Sequence, residues 1–156
     1  MRGELLVLAL LLLFGSMGSL KPKPPRPAPK GRMNLSDLRS LAASVGFPDP
    51  VTAAAIAMAE SGGDPCAQGD PNIGARSCIP NGRSTSFGLW QIHVTATMHT
   101  QYDPLQLLEA DYNARAALAV SSNGTDWKPW STAWEDPYKS GYLGPKAPYR
   151  KFMLGG

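Results

Sequence analysis

The sequence predicts a mainly α domain of α+β character: a helical body and a small hairpin or loop lobe that flank a cleft. Three observations predict it. Capped segments with helical periodicity fall at 34–46, at 49–63 and after Asp103-Pro104. Between them, residues 64–85 carry Pro65, Gly69, Pro71, Gly74, Pro80 and Gly82, which prevent long elements. Residues 86–94 set Phe87, Trp90, Ile92 and Val94 in a stretch short enough for one strand or a hairpin.

The elements follow in order. Asn34 or Ser36 can cap a first helix to about Val45, with Leu38, Leu41, Ala42 and Val45 on one face and Gly46 ending it. Asp49 caps a second helix with Pro50 at its first position. It runs through an Ala-rich, apolar stretch to Glu60 and stops at Gly62-Gly63, and such a helix is expected to be buried. The third helix is expected from Asp103-Pro104 to Asn123-Gly124. The remainder, with Trp127, Trp130, Trp134, Tyr138, Tyr142 and Tyr149 among prolines and glycines, reads as short helices and loops.

The chain has 156 residues, room for one domain, and 43% hydrophobic residues suit a globular one. The net charge of +3 is unevenly placed. Residues 1–32 hold six basic side chains against one acidic; the remaining residues hold nine against eleven. The body therefore lacks the basic stretch of a nucleic-acid binder. The basic tail is read as a linker, although it can touch acidic lipid or nucleic acid.

Leu5 to Phe14 is an unbroken apolar run that small residues extend to Leu20. Residues 1–20 read either as a retained membrane anchor or as a cleaved signal. As a helix, Leu5–Leu20 spans only ~24 Å against a ~30 Å hydrocarbon core. As a signal, Ser16 and Gly18 give a weak cleavage site. Five basic residues follow the run and Arg2 alone precedes it, which resists export of the body. The anchor is the favoured reading. Residues 21–32, KPKPPRPAPKGR, favour a polyproline II spacer reaching ~37 Å. The globular domain is then 33–156.

Cys66 and Cys78 are the two cysteines. They read either as free thiols or as a disulfide closing the Gly- and Pro-rich loop of an exported protein, and the disulfide is favoured. His93 and His99 have no acidic partner in register, so no metal or cofactor is expected.

Glu60 breaks a local rule. It closes an apolar helix at the carboxyl end, where partial negative charge disfavours a carboxylate. Burial disfavours the charge further. A carboxyl group that holds its proton near neutral pH is what a general acid for glycosidic cleavage requires. The plainer alternative is a surface Glu at a frayed helix end.

Four motifs in order extend this reading. They are Ala59-Glu60-Ser61-Gly62-Gly63-Asp64-Pro65, Ser86-Phe87-Gly88-Leu89-Trp90-Gln91-Ile92, Tyr102-Asp103-Pro104 with Tyr112-Asn113-Ala114-Arg115-Ala116-Ala117, and Gly124 to Thr132 with its Trp-Lys-Pro-Trp. Together they resemble the soluble lytic transglycosylase-like family, related to goose-type lysozyme, over about residues 50–135. The resemblance implies a lysozyme-like fold around a glycan cleft. It implies Glu60 as the single acid and base, with Ser61 beside it as a substrate-binding residue. Gly88, Leu89, Trp90 and Gln91 would line the cleft, Gln91 bonding a sugar and main-chain groups near Leu89 and Trp90 holding an N-acetyl group. Trp90 is equally readable as core. Asn113 would anchor the Glu60 loop or the sugar, or join two helices. Of Trp127, Trp130 and Trp134, one is expected to stack on glycan, with Trp130 chosen. The sequence departs from the family in its long Cys66–Cys78 insertion and in lacking a closing Tyr motif.

The implied substrate is the β-1,4 bond between N-acetylmuramic acid and N-acetylglucosamine in peptidoglycan. A typical glycosidase needs two carboxylates. No second one occupies a motif position, although Asp64 and Asp70 lie nearby in sequence. This favours a lytic transglycosylase over a hydrolytic lysozyme, which the products distinguish. A non-catalytic glycan-binding or structural component is the third reading, which an inert Glu60→Gln change would support. The expected setting is membrane-anchored or exported, at the periplasm or cell wall, with partners in a secretion or viral assembly and virion association as further expectations.

Overall fold

The computed structural model describes residues 31–69, 78–80, 82–136 and 140–153. The expected anchor, residues 21–30 of the linker, Asp70 and Tyr138 lie outside the described residues.

Helix α1, Leu35–Val45, starts at Asn34 rather than Ser36. The Asn34 side chain accepts from the Asp37 N–H at 2.9 Å, and the Asp37 carboxylate accepts from the Asn34 N–H at 3.3 Å. This reciprocal cap satisfies two otherwise orphaned donors. Helix α2, Pro50–Ser61, starts at Asp49, whose carboxylate accepts from the Val51 and Thr52 N–H groups. Thr52 to Ala57 are all buried, so α2 is apolar on every side and forms the centre of the core. Its alanines let α1 and the 3-10 segment Pro148–Phe152 pack closely against it.

Helix α3, Ala110–Val120, is shorter than expected. Asp103 forms a local turn onto the Leu105 N–H, one 3-10 turn follows at Gln106–Leu108, and Glu109 is extended. The cause is tertiary. The Leu107 carbonyl accepts from Asn113 Nδ2 at 2.9 Å, which a continuous helix would redirect along its own axis.

The lobe is a hairpin of β1, Ser86–Phe87, and β2, Ile92–His93, paired Ser86 with His93 and Phe87 with Ile92. Its turn needs left-handed backbone at Gly88 (φ 77°) and at Gln91 (φ 48°). A Cβ at Gly88 would collide with the Leu107 carbonyl and the Asn113 side chain, so the close approach admits only glycine. The loop after α2 lies along β1, with Gly69 N–H on Ser86 O and Gly88 N–H on Ala67 O.

That loop carries the disulfide Cys66–Cys78, with Cα atoms 4.8 Å apart. Replacing both cysteines by Ser is expected to cost about 3 kcal/mol of unfolding free energy. A urea titration reads this as a lower midpoint, and an unmoved midpoint would contradict it.

The aromatic tail departs from expectation by forming a second hairpin, β3 Trp134–Asp136 with β4 Ser140–Tyr142. Trp134 and Tyr142 pair across it with ring centroids 4.9 Å apart, the kind of cross-strand contact that stabilises a short pair. A 3-10 turn, Ser131–Ala133, precedes it. Beneath both lobes, Phe47 stacks between Trp90 (5.7 Å) and Trp127 (5.6 Å), and Trp127 packs on Trp130 (5.2 Å). The architecture is mainly α with a small β lobe, as the periodicity predicts.

Candidate active site

Three pieces of chain meet at one cleft of about 300 Å3, at the lower end of ligand-sized pockets. The end of α2 contributes Glu60; the first hairpin and its flanking loop contribute Gly69, Ser86, Gln91 and His93; and Pro129, Trp130 and Ser131 form the third wall.

Two indole bonds fix these pieces together. Trp90 Nε1 donates to the Ala53 carbonyl of α2 at 3.0 Å. Trp130 Nε1 donates to the Trp90 carbonyl at 2.6 Å. The cleft walls are therefore tied through buried polar contacts, which cost most when broken in a low-dielectric interior.

Glu60 sits on the last turn of α2, which the αL residue Gly62 terminates (φ 63°). Burial pushes its carboxyl above the usual carboxylate range, while the hydrogen bond from Thr132 pulls it back down. Thr132 Oγ1 donates to Glu60 Oε1 at 2.6 Å. A desolvated carboxyl group facing a cleft, with a hydrogen-bond donor for its ionised form, can give up and recover a proton. Glu60 is the only carboxylate lining the cleft among the described residues. Asp64, the nearest alternative in sequence, accepts from the Cys66 N–H at 2.9 Å and does not line it.

The remaining predicted residues divide. Gln91 and Trp130 line the cleft. Gln91 Nε2 donates to Gly88 O and Ala67 O, which fixes the amide in place. Trp130 is only 4% exposed, so an edge, not a full ring face, meets the cleft. Ser61 bonds the Ala57 carbonyl and the Gly63 N–H; it caps the helix and does not line the cleft.

Gly88, Leu89, Trp90 and Asn113, like Ser61, do not line this cleft. Gly88 is buried against Leu107 and Asn113, and Leu89 is fully buried in the core. Trp90 is also fully buried. Its N–H is taken by Asn113 Oδ1 at 2.8 Å, and its carbonyl accepts from Trp130 Nε1. Asn113 is 0% exposed. Its amide donates to Phe87 O and Leu107 O and so clamps the hairpin turn onto α3.

Sequence reasoning missed Thr132, His93 and Ser86. His93 and Ser86 are cross-strand partners, with Ser86 Oγ 3.1 Å from His93 Nδ1. Alternation along 91–93 was the available signal, since Gln91 and His93 flank the buried Ile92. For Thr132 no local signal exists, because its partner is 72 residues away. Among the described residues no group of His, Cys, Asp or Glu gathers as a metal site.

A family model described as a lysozyme-like domain matches residues 39–132. The chain belongs to that family. The match includes every residue lining the cleft, and it ends at Thr132. No curated protein and no solved structure matches the chain. As a lysozyme-like domain, the protein acts on peptidoglycan and cleaves glycan.

Proposed function

We propose that this lysozyme-like domain is a peptidoglycan lytic transglycosylase with Glu60 as its acid and base. One observation carries the choice over a hydrolase: Glu60 is the single carboxylate lining the cleft among the described residues. A hydrolytic route uses a second carboxylate to activate water or to attack the sugar. A transglycosylase needs only one group that first gives a proton and then takes one.

The sequence of steps balances without water. The Glu60 carboxyl protonates the glycosidic oxygen, and the bond from C1 of N-acetylmuramic acid to that oxygen breaks. The leaving N-acetylglucosamine keeps the proton as its 4-hydroxyl. The muramic N-acetyl oxygen supports the developing charge at C1. The 6-hydroxyl of the same sugar then bonds to C1, and its proton returns to Glu60. The product carries a 1,6-anhydro ring. Gln91, Ser86 and His93 supply polar contacts along one wall, and the Trp130 edge with Pro129 supplies the apolar one.

The setting is part of the same proposal. An apolar segment at 5–20 and a basic, Pro-rich spacer at 21–32 support a domain tethered at a membrane and opening cell wall locally, as a virion or secretion assembly requires. Mass spectrometry of muropeptides released by the full chain tests the chemistry. Products lighter than hydrolytic ones by one water are expected. Ordinary reducing ends would make the protein a muramidase, and no release from the folded chain would make it a binding or structural component.

A further inference from the structure

We propose that Thr132 is the positioning residue of the active site: it holds Glu60 in one orientation for both proton transfers and sets the pH range in which it works. This rests on the reading of Glu60 as acid and base.

The geometry is specific. Thr132 lies in the 3-10 turn Ser131–Ala133, directly after Trp130, whose indole is bonded to Trp90. Ala133 is fully buried beneath it, and the turn packs on α2. The hydroxyl is therefore delivered by an anchored turn and not by a mobile loop. It reaches Glu60 Oε1 at 2.6 Å, the length of a strong oxygen–oxygen hydrogen bond to a carboxylate. With Oε1 held by Thr132, the other oxygen is the one that faces the glycosidic bond.

The hydroxyl matters most at one moment. When Glu60 has released its proton, a buried carboxylate remains, and Thr132 stabilises that form alone. Without the hydroxyl, desolvation acts with less opposition. No other charged group contributes to the balance at Glu60. Asp37 and Arg39 on α1, and Tyr149, Arg150 and Lys151 on the segment Pro148–Phe152, belong to elements packed on α2 but exert no charge effect on it. The turn Ser131–Ala133 brings no ionisable side chain. His93 is the other titratable group lining the cleft among the described residues.

The test compares the parent full chain with Thr132→Val, Thr132→Ser and Glu60→Gln on solubilised peptidoglycan across pH. Thr132→Val is expected to keep KM, to lower kcat about 10- to 100-fold, and to move the alkaline limb of the rate profile to higher pH. The sign follows from removing a donor to the ionised form: Glu60 then keeps its proton to higher pH. Thr132→Ser should restore both rate and limb. An NMR titration of the Glu60 side-chain carboxyl carbon reads the same shift without activity, and folding of each variant is checked by its melt. A Thr132→Val profile and titration that superimpose on the parent would overturn the proposal. A Glu60→Gln protein that cleaves like the parent would instead overturn the acid–base assignment, whatever the titration of Thr132→Val shows.

Discussion

Glu60→Gln is expected to lose glycan cleavage by roughly 10²–10⁴-fold, toward the upper end because one group serves both proton transfers. Glutamine keeps the length of the side chain and an oxygen that can accept from Thr132, but it has no proton to give. The loss should therefore fall on kcat and leave binding nearly unchanged. Turnover assays at saturating peptidoglycan check this, and a variant within a few-fold of the parent would contradict it.

The same substitution separates chemistry from stability. Burial raises the Glu60 carboxyl above the usual carboxylate range in the folded protein. Such a group contributes stability that is fully present below the unfolded pKa and is lost as pH rises through the folded one. The parent should therefore weaken relative to Glu60→Gln as pH rises from below the ordinary carboxylate range through the raised folded value. Melts at both ends of that range measure the change, and a gap that stays constant would count against burial of the carboxyl. An enzyme that becomes more stable when its acid is removed holds that acid for function, as strained sites often do.

Asn113→Ala is expected to be the most damaging single change to the fold, at about 3–5 kcal/mol. It strips partners from the Trp90 N–H, the Phe87 carbonyl and the Leu107 carbonyl at once. Asn113 is fully buried, and water does not reach the groups to replace the lost bonds. The hairpin turn would then lose its clamp to α3, and the wall bearing Gln91, Ser86 and His93 would loosen with it. Chemical denaturation measures the first effect. A cost below about 1 kcal/mol would mean that the turn holds without the clamp.

These two residues also mark how far the sequence could be read. Glu60 was legible because its oddity is local: a carboxylate at the wrong end of an apolar helix. The starts of α1 and α2 were legible for the same reason, since Asn34 and Asp49 cap donors two or three residues away. Asn113 was placed on the right helix, but its clamp on the hairpin turn was not legible, because its partners lie 26 residues back in the chain at Phe87 and 6 back at Leu107. That long-range clamp is also why α3 begins at Ala110 and not at Pro104. Trp90 was read evenly as core or ligand, and Trp130 was chosen as the ring that stacks on glycan. Only the fold shows that their indoles point at main-chain carbonyls 37 and 40 residues away. A tryptophan in a motif signals a large ring, not the side on which the ring is covered. Thr132 is the strongest case of this kind, since nothing around it in sequence distinguishes it from an ordinary turn residue.

The most direct measurement of the central claim is digestion of purified peptidoglycan by the full chain in water enriched in heavy oxygen. If Glu60 works alone and the 6-hydroxyl closes the ring, the new muramic ends carry no label, and Glu60→Gln releases almost nothing. Label incorporated at C1 of those ends would show that water attacks the sugar, and it would contradict a one-carboxylate transglycosylase.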